Sequence, residues 1–395
     1  RNIITDALDT PLGTDNLASI MASAKEGLLN LCTEIGITVV EQMMNQELDA
    51  KIGLKGRHNP KRRAYRNGYE KGAVVLGGCK HAVRRPRART FDGKEIDLET
   101  YKQFTDEQLL NEAVLAQIIY GVSCRNYQKT LKGLETKTEV TNISKSTVSR
   151  RFIQATASAL EQIMKRPLDK MKLVALYIDG IGFGGHLVAA TIGLDIYGKK
   201  HILGIWEGST ENATLCKDLL GNLVQRGLKT DQGLLGIIDG SKALSSAIKE
   251  VFGANVLIQR CQIHKKRNIL DYLPEKEKEK TGSIINDAFN DNDPKRGKEK
   301  LEAEAARIEK KYPGAAASIR EGLDEMFTVA RLGVAGKLLR TLTNTNVIES
   351  AFSMIRSYIH NVKNWQSGEQ ALRWAAAGAI LTEERFNRVP GYKDV

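Results

Sequence analysis

Apolar positions along the chain change period several times, and each change predicts a different kind of element. Over residues 16–50, Leu28, Leu31, Ile35, Val39 and Met43 recur at three-to-four spacing, the stripe of an amphipathic helix. That stripe packs against the rest of the protein or against a second copy. From Lys51 to Thr100 the pattern breaks into Gly, Pro, Arg and short apolar runs. Gly72-Ala73-Val74-Val75-Leu76-Gly77-Gly78 reads as a strand ending in a turn, and Asp92-Gly93 as a hairpin turn. Residues 105–165 are helical again, with one helix from about Thr105 to Tyr120, a second from Ser123 after the Gly121 break, and a third from near Ser144. In the third, Ser144 suits the N-cap and Val148 and Phe152 share an inner face. Lys145, Ser146, Thr147, Arg150 and Arg151 are then placed to face outward, the chemistry of a recognition helix. The connection after Leu131 is longer than the roughly 3–4 residues of a standard helix-turn-helix turn, so an ordinary solvated helix stands beside that reading.

Near Leu173 the pattern changes sharply. Leu173-Val174-Ala175-Leu176-Tyr177-Ile178 is a continuous apolar run suited to a buried strand, ending at Asp179-Gly180. His186 to Ile196 predicts a second strand, Tyr197-Gly198-Lys199-Lys200 a turn, and His201 to Trp206 a third. A helix over about Asn212 to Arg226 follows, with Ser209, Thr210 and Glu211 favourable at its start. Leu234 to Ile238 makes a fourth strand, ending at Asp239-Gly240; Lys242 to Phe252 is a helix and Asn255 to Gln259 a fifth strand. Three meandering strands, helix, strand, helix, strand is the order of a mixed α/β sheet, and of the ribonuclease H-like fold. From Ile263 to about Leu339 strand signals vanish in favour of Lys, Glu and Ala, punctuated by Pro274, Pro294 and Pro313; Asn344 to about Asn387 is helical with a buried stripe.

Composition sharpens this picture where it is uneven. The 395 residues carry a net charge of +12. Thirteen Lys and Arg against the single acid Glu70 lie between Lys51 and Arg89, whereas Val174 to Arg260 holds eight basic and eight acidic residues. A basic excess confined to one stretch is the electrostatic footprint of a polyanion-binding region. Arg62, Arg63, Arg66, Arg84, Arg85 and Arg87, with Tyr65 and Tyr69 among them, suit phosphate contact more than base reading. The five scattered cysteines form no Cys-x-x-Cys and read as free thiols of a reducing compartment, a cytoplasmic or bacterial nucleoid setting. No apolar run approaches the ~20 residues that cross a bilayer, so no membrane partner is expected. No Gly-x-x-x-x-Gly-Lys-Ser/Thr phosphate loop supports a helicase or ATPase.

Two predicted buried strands end alike, in an apolar run followed by Asp-Gly. If those strands are neighbours, Asp179 and Asp239 converge at one end of the sheet. Carboxylates so close repel unless one is protonated or a cation lies between them. Oxygen ligands without a His or Cys cluster favour Mg²⁺ or Mn²⁺, and two such ions per active site would serve phosphodiester chemistry. Glu349, in Thr343-Asn344-Thr345-Asn346-Val347-Ile348-Glu349-Ser350, is the candidate third carboxylate. Glu321, Glu325, Glu383 and Glu384 compete with it. Arg356 stands two turns beyond Glu349 on the same helical face, where it would reach a phosphate.

These residues also carry a resemblance. Tyr177-Ile178-Asp179-Gly180, Gly204-Ile205-Trp206-Glu207-Gly208, Ile238-Asp239-Gly240, Gln259-Arg260-Cys261-Gln262-Ile263-His264-Lys265-Lys266-Arg267-Asn268 and Asn346-Val347-Ile348-Glu349-Ser350 resemble the catalytic motifs of Mutator-type transposases of bacterial insertion sequences, members of the DDE superfamily. The resemblance implies an α/β ribonuclease H-like catalytic core with an all-helical insertion, preceded by mostly helical and basic DNA-binding N-terminal regions. It implies that Asp179, Asp239 and Glu349 are the catalytic metal ligands, supported by Cys261, His264 and Arg356, with Lys265, Lys266 and Arg267 beside DNA. The Cys261/His264 pair lacks the second pair of a zinc site; packing, DNA contact and support of the site stay open for it. Trp206 reads as sheet core or as a base-stacking platform. The expected regions are residues 1–50 (helical), 51–103 (basic strand and loop), 104–168 (helical, DNA-binding), 169–262 (core, first part), 263–340 (helical insertion) and 341–395 (core, C-terminal helices). The expected activity is metal-dependent cleavage at element ends and strand transfer by 3′-hydroxyl attack, through a circular intermediate in many relatives. The expected partners are double-stranded DNA, as terminal inverted repeats and target, and further copies of the chain in a homodimer or larger assembly. A non-catalytic transposase-derived DNA-binding protein and a structure-specific ribonuclease H-like nuclease are the alternatives.

Overall fold

The computed structural model describes residues 28–57, 62–131, 144–183, 185–208, 210, 212–231 and 233–394. The chain divides into two compact units, residues 1–155 and 156–395. The connection over 132–143, the cap positions Ser209 and Glu211, and the helix expected before Leu28 lie outside the described residues.

In the first unit, helix α1 (Leu28–Ile52) packs on a two-stranded antiparallel hairpin, β1 (Ala64–Leu76) and β2 (Cys79–Thr90). The buried face of α1 is Ile37, Val40, Met44, Leu48 and Ile52, closed by Ala64, Val74, Val83, Ala88 and Leu98. This is one residue out of phase with the expected stripe, whose Ile35 is exposed. The helix has apolar residues on both adjoining faces, and tertiary packing selects between them. The hairpin turns at Gly77 and Gly78, both with positive φ (58° and 79°), the conformation a two-residue turn of this hand requires. β1 begins at Ala64 rather than Gly72, because its polar first half pairs with the arginines of β2 on a solvated face. The Asp92-Gly93 turn is present, with Gly93 N–H donating to Thr90 O at 3.0 Å. Helices α2 (Glu99–Thr105), α3 (Glu107–Ile119) and α4 (Tyr127–Thr130) follow. Asp106 separates the first two and caps α3, accepting from Gln108 N. Helix α5 (Lys145–Lys165) starts at Ser144, whose Oγ accepts from Thr147 N at 3.2 Å.

The second unit is built on a five-stranded sheet of β3 (Leu173–Phe183), β4 (His186–Asp195), β5 (Lys200–Glu207), β6 (Leu234–Ile238) and β7 (Val256–Arg260), in the order β5-β4-β3-β6-β7. β3, β4 and β5 form an antiparallel meander; β6 lies parallel to β3 and β7 parallel to β6. Helices α6 (Ala213–Gln225) and α7 (Lys242–Phe252) cover one face, burying Leu219, Leu220, Leu223, Leu244 and Ile248 against Leu176, Ile178, Leu203 and Ile258. Asn212 caps α6, accepting from Leu215 N. β3 does not stop at Asp179. The antiparallel partner β4 is long enough to continue the ladder to Phe183, so Asp179 sits inside the strand opposite Ala190.

After β7, the described residues hold no strand. Helices α8 (Gln262–Asp271), α9 (Glu275–Phe289), α10 (Pro294–Glu309) and α11 (Pro313–Arg320) enclose a separate apolar cluster of Ile269, Ile285, Leu301, Ile308, Ile319 and Phe327. Short helices α12 (Thr328–Arg331) and α13 (Gly336–Leu342) return the chain to the sheet. There α14 (Asn346–Ile359) lies against β3, and α15 (Gly368–Glu384) against β4 and β5. Among the described residues no helix is long and apolar enough to cross a membrane.

Candidate active site

The parallel pairing of β3 with β6 aligns Ile178 with Ile238, so the residues that follow, Asp179 and Asp239, are neighbours across the two strands. Each carboxylate is tethered by a local amide. Asp179 Oδ1 accepts from Gly180 N at 2.7 Å and Asp239 Oδ1 from Ser241 N at 3.0 Å. Gly240 takes φ 115°, a conformation L side chains rarely adopt, and so turns the chain away directly after Asp239. The Ser241 hydroxyl then caps α7, accepting from Leu244 N.

Burial pushes the Asp179 carboxyl up to about 6, and the charges of Asp239 and Glu349 push the same way; the Gly180 amide and the His264 imidazole only partly oppose them. Asp179 is therefore a poorly hydrated carboxyl on which two other carboxyl groups bear.

Glu349 reaches it from the first turn of α14, which is held by a compact polar cluster. Thr345, fully buried at the N-terminus of α14, has its hydroxyl 2.7 Å from Glu349 Oε1, 3.3 Å from His264 Nδ1 and 3.4 Å from Cys261 Sγ. His264 Nε2 lies 3.7 Å from Glu349 Oε1. A hydroxyl carries one proton, so at any moment Thr345 donates either to the Glu349 carboxylate or to Cys261 Sγ, and its lone pairs are free to accept from His264 Nδ1. Cys261 N donates to Ile238 O at 2.8 Å, and Gln262 N to Thr343 O at 2.9 Å. These bonds tie the ends of β6 and β7 and the start of α14 together. Burial pushes the Cys261 thiol up, but His264 and Thr345 more than offset it and leave it below its ordinary value. The Cys261 contact raises His264 above its own, against burial, with the charges of Glu349 and Asp179 adding to the rise. Cys261 and His264 stand out in a sequence motif; Thr345 does not, because its role depends on a neighbour 84 residues away.

The donor set, three carboxylates with little other compensation, suits hard divalent cations. Among the described residues, however, no three His, Cys, Asp or Glu side chains converge closely enough to hold an ion as they stand. Glu349 is drawn toward Thr345 and His264 instead. The residues fit Mg²⁺ or Mn²⁺ in kind, but not as a closed three-carboxylate site in this arrangement.

The competing glutamates are committed elsewhere. Glu321 pairs with Lys265 and Lys242, Glu325 with Arg260 and Lys249, and Glu383 with Arg166; Glu384 is exposed. Arg356 is exposed on α14, seven residues and so about 10 Å along the helix from Glu349.

The residues expected at DNA divide in two. Arg63, Arg84, Lys145, Ser146, Arg150 and Arg267 are exposed. Arg84 stacks over Tyr69, its guanidinium carbon 5.0 Å from the ring centre. Others turn to internal partners. Arg62 donates to backbone carbonyls of Ile52 and Arg57, Arg66 pairs with Asp49, and Arg85 and Arg87 both pair with Glu70 and Glu95. Thr147, half-buried, lies 3.0 Å from Ser144 Oγ, and Lys266 donates to Asn286 Oδ1. Arg151 does not face outward as expected: its side chain is largely buried against Glu107 and Asn111. Lys265 is buried on Glu321 at 3.3 Å, which removes it from any surface. Trp206 is half-buried against the sheet core, its ring lying over Gly204 so closely that a methyl group there would meet it at 2.3 Å.

The family model described as "Transposase, Mutator family" matches residues 11–387, and the chain belongs to that family. It is similar to the transposase for insertion sequence element ISRM5 of Rhizobium meliloti (strain 1021), 26% identical with 94% of this chain and 92% of the relative covered. It is likewise similar to the transposase for IS256 in transposon Tn4001 of Staphylococcus aureus, 26% identical over 88% of each chain. A third relative is the transposase for IS6120 of Mycolicibacterium smegmatis, 30% identical over 54% of this chain and 66% of its own.

Proposed function

We propose that the chain is a DNA transposase that cuts DNA strands at the ends of an insertion sequence and joins the freed 3′-hydroxyl to another phosphodiester at the same site. The observation that carries this reading is the placement of Asp179 and Asp239 on adjacent parallel strands, with Glu349 close enough to raise the affinity of Asp179 for a proton. The sheet order β5-β4-β3-β6-β7, with its antiparallel meander and two parallel additions, supports reading the second unit as a ribonuclease H-like core, and the strand-free α8–α11 segment as its helical insertion.

Asp179, Asp239 and Glu349 would hold two Mg²⁺ or Mn²⁺ ions, which when bound supply the charge that activates the attacking oxygen and stabilises the departing one. The chain's own residues do the positioning. The strand pair fixes the two aspartates, the Gly180 and Ser241 amides orient them, and Thr345 with His264 holds Glu349 at their edge. No side-chain nucleophile is required, because water and then the 3′-hydroxyl are the attacking groups. Arg63 and Arg84 at the β1–β2 hairpin and the exposed start of α5 are the surfaces we assign to end binding, and handling two ends together implies two or more copies of the chain.

Strand cleavage and joining on end-containing duplex with Mg²⁺ tests this. Wild type yields both nicked and joined products, and Asp179→Ala or Asp239→Ala yields neither. Full activity in either variant refutes the mechanism; cutting of branched or hybrid substrates without joining favours a nuclease.

A further inference from the structure

Beside the first turn of α14 the second unit carries a groove of about 530 Å³ whose charge is one-sided. Its lining includes Lys200, Lys337, Arg340 and Arg388, with Asn344 and Asn346 as neutral donors, and no carboxylate. Lys337 and Arg340 lie three residues apart on α13 and so share a face. Lys200, half-buried at the start of β5, rests its ammonium over Phe386 at 4.7 Å, and the Arg388 guanidinium sits 5.1 Å from the Tyr392 ring. Among the described residues none of the four has an ion-pair partner.

Several arginines elsewhere in this unit are paired with acids. Arg166, Arg260, Arg307 and Arg320 each meet a carboxylate at 2.6–2.7 Å. Lys200 loses hydration by burial with no acid to compensate, which costs stability unless an anion arrives from outside. Four uncompensated cations around one concavity therefore mark a place kept for a polyanion.

The groove lies beside the carboxylates along the fold. Asn346, Val347 and Ser350 line it from the same helical turn that presents Glu349 to Asp179. Lys200 stands five residues before Ile205, which pairs with Ala190, the partner of Asp179. At about 3.3 Å per residue that is roughly 16 Å, the axial rise of about five nucleotides.

We propose that this groove clamps the sugar–phosphate backbone of duplex DNA about five nucleotides from the bond being cut, through Lys200, Lys337, Arg340 and Arg388. The assignment rests on the transposase reading and adds to it a contact made by the second unit itself. Lysine and arginine ends with amide donors give the clamp phosphate chemistry, so it positions DNA without reading sequence.

The test is the salt dependence of binding of the full chain to a fluorescently labelled duplex of arbitrary sequence. Each phosphate contact contributes about one to the slope of log K against log salt, and so about tenfold in affinity near 0.1 M salt. Lys337→Gln/Arg340→Gln should flatten the slope by about two and weaken binding up to roughly a hundredfold. Arg388→Gln alone should flatten it by about one. Lys310→Gln/Lys311→Gln, the same charge loss at two exposed positions just after α10, should leave the slope unchanged, and melting curves confirm that each variant is folded. An unchanged slope in the groove variants, or an equal change in the control, overturns the proposal. Wild-type chain that binds and cuts DNA while the groove variants match it refutes the groove alone; wild type that neither binds nor cuts refutes the transposase reading.

Discussion

Replacing Asp179 by Asn should make the metal-free protein more stable at neutral pH while abolishing its chemistry. Burial with two neighbouring carboxylates lifts Asp179 from its ordinary 3.8 to about 6. At 1.36 kcal/mol per pH unit, ionising it in the folded chain costs about 3 kcal/mol more than in the unfolded one. The sign follows from the direction. A carboxyl whose folded value is raised contributes stability that is fully present below pH 3.8 and is lost as pH rises through about 6. Asparagine keeps the acceptor for Gly180 N and removes the charge. In chelator at pH 8, Asp179→Asn should therefore unfold at higher urea than wild type, by an equivalent of about 1–3 kcal/mol after allowing for water reaching the partly exposed site. The advantage should shrink through pH 6 and vanish near pH 4. With Mn²⁺ the order should reverse, because only the wild type gains binding energy from the ion. A variant no more stable than wild type at pH 8 without metal would refute the claim that burial, helped by the neighbouring carboxylates, destabilises the Asp179 charge.

Two further perturbations test the supports of the site. Thr345→Val removes the hydroxyl between Glu349, His264 and Cys261 while keeping the buried volume. It should cost about 1–2 kcal/mol of stability and lower strand cleavage with a raised Mn²⁺ requirement, whereas Thr345→Ser restores both; a Val variant with wild-type metal dependence contradicts this. Glu383→Gln breaks the forked contact to Arg166 (2.6 and 2.9 Å) and the contact to His201 (3.7 Å). It should cost about 2–4 kcal/mol. His201 is raised above 6.5 by Glu383 and, in spite of burial, by Asp195 as well, so its contribution is full below pH 6.5 and fades as pH rises through the higher folded value. The variant should show a flatter loss of stability over that window, measured by urea midpoints between pH 6 and 9.

Strand order and the two Asp-Gly pairs were legible because a buried strand declares itself as an uninterrupted apolar run, as in Leu173–Ile178 and Leu234–Ile238. The continuation of β3 past Asp179 was not, since it depends on β4 offering a partner as far as His186. Charge was read more easily than its use. Lys265 and Arg151 look like phosphate contacts until Glu321 and Glu107, 56 and 44 residues away, turn them inward. The basic groove left no local signal because its cations span Lys200 to Arg388. Phase in α1 was ambiguous for a related reason: two adjoining apolar faces exist and only the hairpin chooses between them.

The most direct test of the carboxylate assignment is a structure of the chain on DNA ends with Ca²⁺, which binds such sites without supporting turnover. Cations should lie about 2.3–2.6 Å from oxygens of Asp179, Asp239 and Glu349, with the Glu349 side chain moved off Thr345 and a DNA phosphate between them. Cations bound elsewhere, or a Glu349 still held by Thr345 and His264 in the loaded complex, would contradict it.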